Sequence, residues 1–250
     1  MAILETKNLT KKFGGIHALD SLSIVFEAGK ITGVIGPNGS GKSTLVNVLT
    51  GMLPMSGGEV IVADASRLKK ILPHDMPSFG ITRTFQEVRL FEQMTVLDNI
   101  LVVVTKRNVI GALFEKHKEY HLKIAERVLE RVGLVSKKHE LAVNLSYGQR
   151  KLLEIARVLA MTESESTAAE IFFFDEPFAG LFPEMVKLVV SVMQDLRQKG
   201  KTLVLIEHNM ELIRELSDKV IVMDSGALLA EGLPEHVLAR RDVIEAYLGE

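Results

Sequence analysis

The sequence has no cysteine, no excess of positive charge and no long apolar run. Without cysteine, the chain has neither a disulfide framework nor a thiolate ligand for a metal ion. Its 30 lysine and arginine residues are balanced by 32 aspartate and glutamate residues, and the formal net charge is −2. We therefore expect no nucleic-acid partner. The longest apolar stretches, such as residues 100–104, fall far short of the ~18 residues that a membrane-spanning helix needs.

The length of the chain limits the number of domains, and its amino-terminal residues indicate where the protein is located. A chain of 250 residues with 47% hydrophobic residues suffices for one large domain, or for a core with one inserted subdomain. Residues 1–7 include Glu5 and Lys7 and show no signal-peptide pattern, so we expect a cytoplasmic location. His117 and His121 form an H-x-x-x-H pair. We assign the pair to the solvated face of a lysine-rich helix, because a metal site requires additional converging ligands.

A glycine-rich stretch has the spacing G-x-x-x-x-G-K-[ST] between an apolar strand-like run and a helical pattern. Glycine lets successive backbone N–H groups approach phosphate oxygens, and the following helix adds the positive end of its dipole. We predict a phosphate-binding loop in preference to a plain turn, with Lys42 at the β- and γ-phosphates and Ser43 as a Mg²⁺ ligand. The predicted loop comprises Gly36, Pro37, Asn38, Gly39, Ser40, Gly41, Lys42, Ser43 and Thr44.

Two adjacent acids, Asp175 and Glu176, follow the apolar run 171–174. In a parallel α/β sheet, ligands bind at the carboxyl ends of such strands. Because side chains alternate along a strand, both acids can serve one site only if the strand has ended, and Pro177 favours that ending. We assign Asp175 to Mg²⁺ and Glu176 to an attacking water. The alternative is two solvated acids at the start of a loop.

Two further candidates, His208 and Phe13, are less specific on their own. His208 follows the apolar run 202–206, which brings it to the same sheet edge as the acids. Both a catalytic and a structural role remain open for it. Phe13 lies between two strand patterns beside glycines, where it either stacks on an adenine ring or anchors a loop.

The remaining patterns divide the chain into parts. Residues 2–28 predict a small antiparallel sheet, and Thr95 is expected to cap a helix. We predict a single domain over residues 1–250, with a helical subdomain inserted at about 87–145. The acidic, small-residue stretch 161–170 predicts a flexible surface loop.

The stretch Leu-Ser-Tyr-Gly-Gln at 145–149 opens another helix, with Ser146 as the candidate N-cap. Glycine just inside a helix start is unfavourable unless the backbone must approach something closely, so Gly148 suggests that an anionic group docks there. Simple helix capping is the alternative for Ser146. Gln86, taken alone, is an ordinary surface amide.

Together these motifs resemble the ATPase subunits of ABC transporters across the whole chain. The resemblance rests on five features in this order: GPNGSGKST at 36–44, Gln86, LSYGQ at 145–149, FFFDEP at 172–177 and His208. It implies an α/β fold: a P-loop NTPase core with an N-terminal antiparallel β subdomain and an inserted helical subdomain. It also implies ATP and Mg²⁺ as ligands, and a head-to-tail dimer with two ATP molecules between the subunits.

The resemblance also implies roles for individual residues. Phe13 would stack on adenine, and His208 would contact the γ-phosphate. Gln86 would contact Mg²⁺ and respond to the membrane partner. The implied catalytic residues are Glu176, His208, Gln86 and Lys42, and the implied metal ligands are Ser43, Gln86 and Asp175. Ser146, Gly148 and Gln149 would complete the ATP site of the opposite subunit.

Shorter matches narrow the resemblance to the branched-chain amino acid importer ATPases. They include Arg83-Thr84-Phe85-Gln86, Ala179-Gly180-Leu181 and the ending Ala246-Tyr247-Leu248-Gly249-Glu250. This implies uptake of branched-chain amino acids or a related small polar solute. The implied partners are membrane permease subunits, a second ABC ATPase subunit and, indirectly, a solute-binding protein. The implied location is peripheral, on the cytoplasmic face of the membrane.

Two departures and one alternative accompany this narrower resemblance. The stretch 161–170 is longer than usual, and Phe182 stands where many relatives carry the D-loop aspartate. A soluble ABC-type ATPase of iron–sulfur cluster assembly is the alternative, although its resemblance is weaker around Gln86 and 145–149. The surface at 86–91 either contacts the permease, through its apolar residues Val88, Leu90 and Phe91, or has these residues packed within the helical subdomain.

Overall fold

The computed structural model describes residues 2–63, 66–84, 88–105, 119–163 and 169–248. The strands are β1 (Ala2–Phe13), β2 (Ile16–Leu22), β3 (Val25–Glu27), β4 (Ile31–Ile35), β5 (Gly57–Val62), β6 (Ser66–Leu68), β7 (Ile81–Arg83), β8 (Ile171–Asp175), β9 (Thr202–Ile206), β10 (Lys219–Asp224) and β11 (Ala227–Gly232). The helices are α1 (Lys42–Leu49), α2 (Val96–Val104), α3 (Glu119–Arg131), α4 (Tyr147–Glu163), α5 (Pro183–Gln198), α6 (Met210–Leu216), α7 (Pro234–Val237) and α8 (Arg241–Leu248). Short 3₁₀ turns occur at Pro73–Phe79, Val135–Lys137 and Ala142–Asn144.

The chain forms two compact units. The first comprises Met1–Arg83, Ile171–Glu176 and Met193–Glu250, and the second comprises Thr84–Glu170 and Pro177–Val192. Both sheets lie in the first unit, which we call the sheet unit. The second is the helical unit, and the predicted insertion at 87–145 falls inside it.

The predicted antiparallel sheet is present at the amino terminus. Among the described residues its strands run in the order β2-β1-β5-β6, and β3 also pairs with β1. Strand β1 buries Leu4 and Thr6 in its first half and Leu9 and Lys11 in its second, and the positive φ angle of Asn8 (47°) lies between these two runs of alternating burial. This sheet supplies one wall of the core.

The second sheet places the predicted site residues at one edge. Its order over the described residues is β11-β10-β4-β9-β8-β7, and β10, β4, β9, β8 and β7 pair in parallel. Strands β4, β8 and β9 are buried along their whole length, which explains their continuous apolar sequences. Ile206 on β9 is in register with Val34 on β4 and with Asp175 on β8. The carboxyl ends of these three strands are therefore level.

Buried residues of both sheets and of α1 form one apolar core in the sheet unit. At its centre, Phe26 and Phe173 meet edge to face, with ring centroids 6.3 Å apart. Strands β10 and β11 form a hairpin and are joined by Ser225 and Gly226, whose φ angles are 47° and 82°. Two consecutive positive φ angles are typical of a type I′ turn.

Helices α2, α3 and α4 pack in the helical unit through buried aliphatic side chains. Thr95 caps α2 as predicted, because its side chain accepts a hydrogen bond from the Asp98 N–H. Within the described ranges, no helix is long and apolar enough to cross a membrane.

Two sequence predictions in the helical unit are wrong in part. His121 is buried, because it shares one face of α3 with the buried residues Ile124, Ala125 and Val128. The predicted solvated position therefore fails for His121, while His117 lies outside the described residues.

The predicted loop at 161–170 is also partly helical, since α4 continues to Glu163. The Glu163 carboxylate lies 2.8 Å from Arg127 and 3.6 Å from Arg131, which favours the extra helical residues. Residues 164–168 lie outside the described part of the chain.

Candidate active site

The predicted phosphate loop lies between the end of β4 and the start of α1, and its shape requires glycine. Gly36, Gly39 and Gly41 have positive φ angles of 153°, 83° and 98°. A Cβ atom at Gly36 would lie 2.1 Å from the Met223 carbonyl oxygen, and one at Gly41 would lie 2.5 Å from the Ala18 carbonyl oxygen. Gly36 and Gly41 thus fit backbone against backbone, where no side chain has room.

The loop is tied to the β10–β11 turn through its buried residue Ser40. The Ser40 N–H donates to the Pro37 carbonyl over 3.2 Å, and the Ser40 carbonyl accepts from the Gly226 N–H over 3.1 Å. The Gly226 carbonyl in turn accepts from the Asp20 N–H. Two distant hairpins therefore fix the loop from behind, a link that spacing rules in the sequence do not reveal.

Lys42 points its ammonium back into the loop. Its Nζ donates to the carbonyl oxygens of Gly36 and Pro37 over 2.8 and 2.9 Å. Burial lowers the pKa of Lys42, and attraction to Glu176 and Asp175 opposes that shift. The positive charge is thus desolvated and aimed at the loop, where it is available to phosphate oxygens.

The two acids at the end of β8 adopt different backbone conformations. Asp175 closes the strand and is buried, while Glu176 has φ of +48° and donates its N–H to the Ile206 carbonyl over 3.0 Å. A left-handed conformation is unusual for a residue with a side chain, and such strain is often found at functional sites. The strand thus ends at Asp175, as the side-chain alternation required.

His208 lies against Glu176. Its Nε2 is 3.1 Å from Glu176 Oε1, so the two side chains share a hydrogen bond. The buried Glu207 carboxylate accepts from the His208 N–H over 3.0 Å, and Asn209 caps α6. The turn after β9 is therefore fixed, and it holds the imidazole beside the acid.

Arg83, for which the sequence predicted no role, joins α1 and β8 at this site. Its Nη1 donates to Asn47 Oδ1 over 2.8 Å and to Thr50 Oγ1 over 3.0 Å, and its Nη2 lies 3.2 Å from Asp175 Oδ2. Sequence pattern gave no signal for this network, because its members are distant along the chain.

The other predicted ligands of the sheet unit are placed as follows. Ser43 is exposed in the first turn of α1, and Thr44 is half-buried beside it. Phe13 is 48% exposed at the end of β1, and the Lys11 ammonium lies 4.8 Å from its ring centroid on one face. One face of Phe13 is thus occupied by a cation. Gln86 lies outside the described residues.

These residues fit a magnesium nucleotide. The backbone cradle and Lys42 suit phosphate, while the Ser43 hydroxyl and the Asp175 carboxylate are oxygen ligands of the type that Mg²⁺ prefers. The structure brings Lys42, Asp175, Glu176 and His208 to one edge of the parallel sheet.

Ser146, Gly148 and Gln149, which were predicted to complete the ATP site of the opposite subunit, lie in the helical unit. Ser146 and Gln149 form a capping box there. Ser146 Oγ accepts from the Gln149 N–H over 3.3 Å, and Gln149 Oε1 accepts from the Ser146 N–H over 3.0 Å. Gly148 lies against α5, since a Cβ atom there would be 2.8 Å from Met185 Sδ. The S-x-x-Q spacing in the sequence was sufficient to predict the reciprocal cap, but the role of Gln149 in it was missed.

Comparisons with known proteins agree with this arrangement. The model of the ABC transporter family matches residues 19–179, and that of the branched-chain amino acid ATP-binding cassette transporter matches residues 227–250. The high-affinity branched-chain amino acid transport ATP-binding protein LivG of Escherichia coli K12 is 37% identical, over 99% of this chain and 98% of the relative. BraF of Pseudomonas aeruginosa, which has the same descriptive name, has the same identity and coverage.

The fold is also similar to that of a solved structure. The crystal structure of the ADP conformation of MJ1267, an ATP-binding cassette of an ABC transporter, has a TM-score of 0.84 and 36% identity over the full length of both chains. This confirms the expected fold class, an α/β cassette with an antiparallel β subdomain. The chain therefore belongs to the ABC transporter family, as one of its ATP-binding subunits.

Proposed function

We propose that this subunit hydrolyses ATP to drive uptake of branched-chain amino acids, or of a related small polar solute, through a membrane permease. The observation that carries the proposal is the convergence of Lys42, Asp175, Glu176 and His208 at one sheet edge beside a glycine cradle. The proposed solute is the one named for the relatives LivG and BraF, which are branched-chain amino acid transport ATP-binding proteins. Nothing in the comparisons supports the iron–sulfur alternative.

In the proposed reaction Glu176 orients or deprotonates the attacking water, because its carboxylate lies at the strand end beside the phosphate loop. His208 holds that carboxylate through the 3.1 Å contact and reaches the γ-phosphate. Lys42 and the loop N–H groups neutralise charge on the phosphate oxygens. Mg²⁺, when bound, supplies further neutralisation of the β- and γ-phosphates, and Ser43, Asp175 and Gln86 would hold it.

Phe13 is proposed to stack on the adenine ring. Lys11 takes one face of the phenyl ring, which leaves the opposite face for a base. A Phe13→Tyr variant should keep nucleotide affinity and Phe13→Ala should weaken it, since only the latter removes the aromatic ring. Equal affinities for wild type and Phe13→Ala would remove this residue from the proposal.

Ser146, Gly148 and Gln149 are proposed to act on ATP held by a second ABC subunit. The start of α4 offers a hydroxyl, backbone N–H groups and a helix dipole to the γ-phosphate. The capping box of Ser146 and Gln149 also stabilises the start of α4. A test must therefore separate loss of folding stability from loss of ATP turnover. Ser146→Asp does so, because aspartate is a good N-cap yet its charge repels phosphate.

We expect Ser146→Asp to keep its thermal stability and to bind ATP normally as an isolated subunit, but to lose turnover in the assembled transporter. Ser146→Arg, which also loses the cap, should be less stable by about 1 kcal/mol and equally inactive. Ser136→Arg, exposed in the same unit, serves as the control. Normal turnover by the folded Ser146→Asp complex would contradict the assignment across subunits.

The permease is proposed to contact segment 88–91. Phe91 is 46% exposed, and the Arg157 guanidinium lies 5.3 Å from its ring centroid. Arg157 Nη1 also donates to the Arg89 carbonyl over 2.5 Å, so the segment is anchored to α4. Cysteines at Glu87 and Arg89 in this cysteine-free chain should crosslink to the permease, and failure at both in a working complex argues for another surface.

The transport function is tested by reconstitution. The subunit, its permease and a solute-binding protein should together show ATP hydrolysis stimulated by leucine, isoleucine or valine, and uptake of the same solute. Lys42→Ala should abolish both through weak nucleotide binding. Stimulation by urea or a short-chain amide instead would support the importer function and identify a different solute. The absence of any ATP-dependent uptake would overturn the proposal.

A further inference from the structure

Arg83 lies at the carboxyl end of β7, with 9% of its side chain exposed. It is the last residue of the sheet unit before the chain enters the helical unit. Strand β7 is the edge strand of the parallel sheet, and Arg83 is in register with Phe173 on β8. Its long side chain reaches Asp175, two residues further along β8.

The guanidinium holds two elements at once. One nitrogen, Nη1, donates to Asn47 and Thr50 on or next to α1, and the other, Nη2, pairs with Asp175. The Thr50 hydroxyl donates its own proton to the Val46 carbonyl over 2.6 Å, so its oxygen is left to accept from Arg83. The planar guanidinium of arginine can donate in two directions at once, whereas the ammonium of a lysine at this position would be a single point charge.

The α1 partners of Arg83 lie on the helix face that carries Ser43. Residues 43, 47 and 50 are spaced i, i+4 and i+7, which places them along one face of an α-helix. Arg83 therefore connects the Asp175 carboxylate to the same face that presents the Ser43 hydroxyl. Asp175 and Ser43 are the two proposed Mg²⁺ ligands of the described residues.

We infer that Arg83 is a positioning residue that sets the Asp175 carboxylate relative to α1, and thereby tunes Mg²⁺ binding at the nucleotide site. This inference rests on the proposed function of that site. The Asp175 side chain is only 4% exposed, and a buried carboxylate is held in place by charge-assisted hydrogen bonds. Groups that orient a metal ligand typically change metal affinity 10- to 100-fold when removed.

The test measures ADP affinity with Mg²⁺ and with EDTA, using the purified full chain. Wild type should bind more tightly with Mg²⁺. Arg83→Met should reduce that advantage by roughly tenfold or more, leave the affinity in EDTA unchanged, and weaken the Mn²⁺ signal of the nucleotide complex in electron paramagnetic resonance. For Arg83→Lys, the gain in ADP affinity from Mg²⁺ should lie between those of wild type and Arg83→Met. Arg67→Met, an exposed arginine of the same unit, should match wild type.

Two outcomes distinguish failure of the inference from failure of the proposed metal site. A folded Arg83→Met with the wild-type ratio of affinities and the wild-type Mn²⁺ signal overturns the inference and leaves the proposed function intact. If wild type itself shows no Mg²⁺ dependence, both the metal site and the inference fail.

If Arg83→Met does not fold, Asn47→Ala combined with Thr50→Val is measured instead, because it keeps the Arg83–Asp175 pair and removes only the link to α1. That variant should show a smaller loss of the same sign, and an unchanged ratio overturns the inference.

Discussion

Two helices of this protein begin at motifs that contain glycine, and the glycines serve different physical purposes. Before α1, Gly36 and Gly41 adopt positive φ angles and meet the carbonyl oxygens of Met223 and Ala18. Inside α4, Gly148 is helical, and the atoms nearest to a Cβ placed there belong to the side chains of Met185 and Leu181. The first motif is built from backbone and has no room to adjust. The second is built from side chains, which can move.

The difference shows what each site can tolerate. The phosphate loop depends on hydrogen bonds between backbone groups of distant hairpins, so a change there disturbs several elements together. The start of α4 depends on the capping box of Ser146 and Gln149, which satisfies its own end locally. We therefore expect larger effects of substitution at the loop than at the start of α4.

The largest effect is expected for Gly36→Ala. The new Cβ combines a forced φ angle with a backbone clash, so the free energy of unfolding should fall by roughly 2–6 kcal/mol, and nucleotide binding should be lost. Gly39→Ala is the matched control, since its Cβ meets nothing within 4 Å and only the φ angle is unfavourable. It should lose about 1–2 kcal/mol. Urea unfolding compares the two, and equal losses would contradict the backbone clash.

A smaller effect is expected for Gly148→Ala. Alanine favours the helix, while the new Cβ crowds Met185, so the net change in unfolding free energy should stay within about 1 kcal/mol. Combining it with Met185→Ala removes the crowding. A double-mutant cycle should then show that Gly148→Ala is less harmful in the Met185→Ala background. A loss as large as that of Gly36→Ala would remove the distinction between the two motifs.

The effect confined to alkaline pH concerns Tyr247 in α8. Burial raises the pKa of Tyr247 to about 12, against a weaker opposing effect of the Gly36 backbone. Because the folded protein holds this proton more tightly than the unfolded chain, its contribution to stability is complete below pH 10 and is lost as the pH rises towards 12. Tyr247→Phe should lack this alkaline loss. If the free energies of unfolding of wild type and Tyr247→Phe change in parallel between pH 9 and 11, the Tyr247 hydroxyl does not have the raised pKa that burial would cause.

Much of the site was predictable because its residues follow local rules. The spacing around Lys42 and the apolar strand before Asp175 each place a side chain from a few neighbouring residues, and parallel pairing then brings the strand ends together. What could not be predicted depends on residues distant in the chain. The contact of Gly226 with Ser40, the Arg83 network and the packing of Met185 on Gly148 have no local signature.

The two wrong predictions, for His121 and for residues 161–163, have causes in tertiary packing. The helical face that includes Ile124 outweighs the polar character of His121, and two arginine partners of Glu163 favour helix where acidic composition predicted a loop. Packing within the helical unit decided the burial of His121, and pairing with residues distant in the chain decided the conformation of Glu163.

The most direct test of the account is single-turnover hydrolysis by the assembled complex with Glu176→Gln, alongside Lys42→Ala and the exposed control Glu235→Gln. Glu176 is assigned to the water and Lys42 to the phosphates, so the two variants should fail differently. We predict that Glu176→Gln binds ATP as wild type does and hydrolyses it roughly 100-fold more slowly or worse, while Lys42→Ala binds ATP poorly. Near wild-type hydrolysis by Glu176→Gln would contradict the assignment of Glu176 and, with it, the proposed active site.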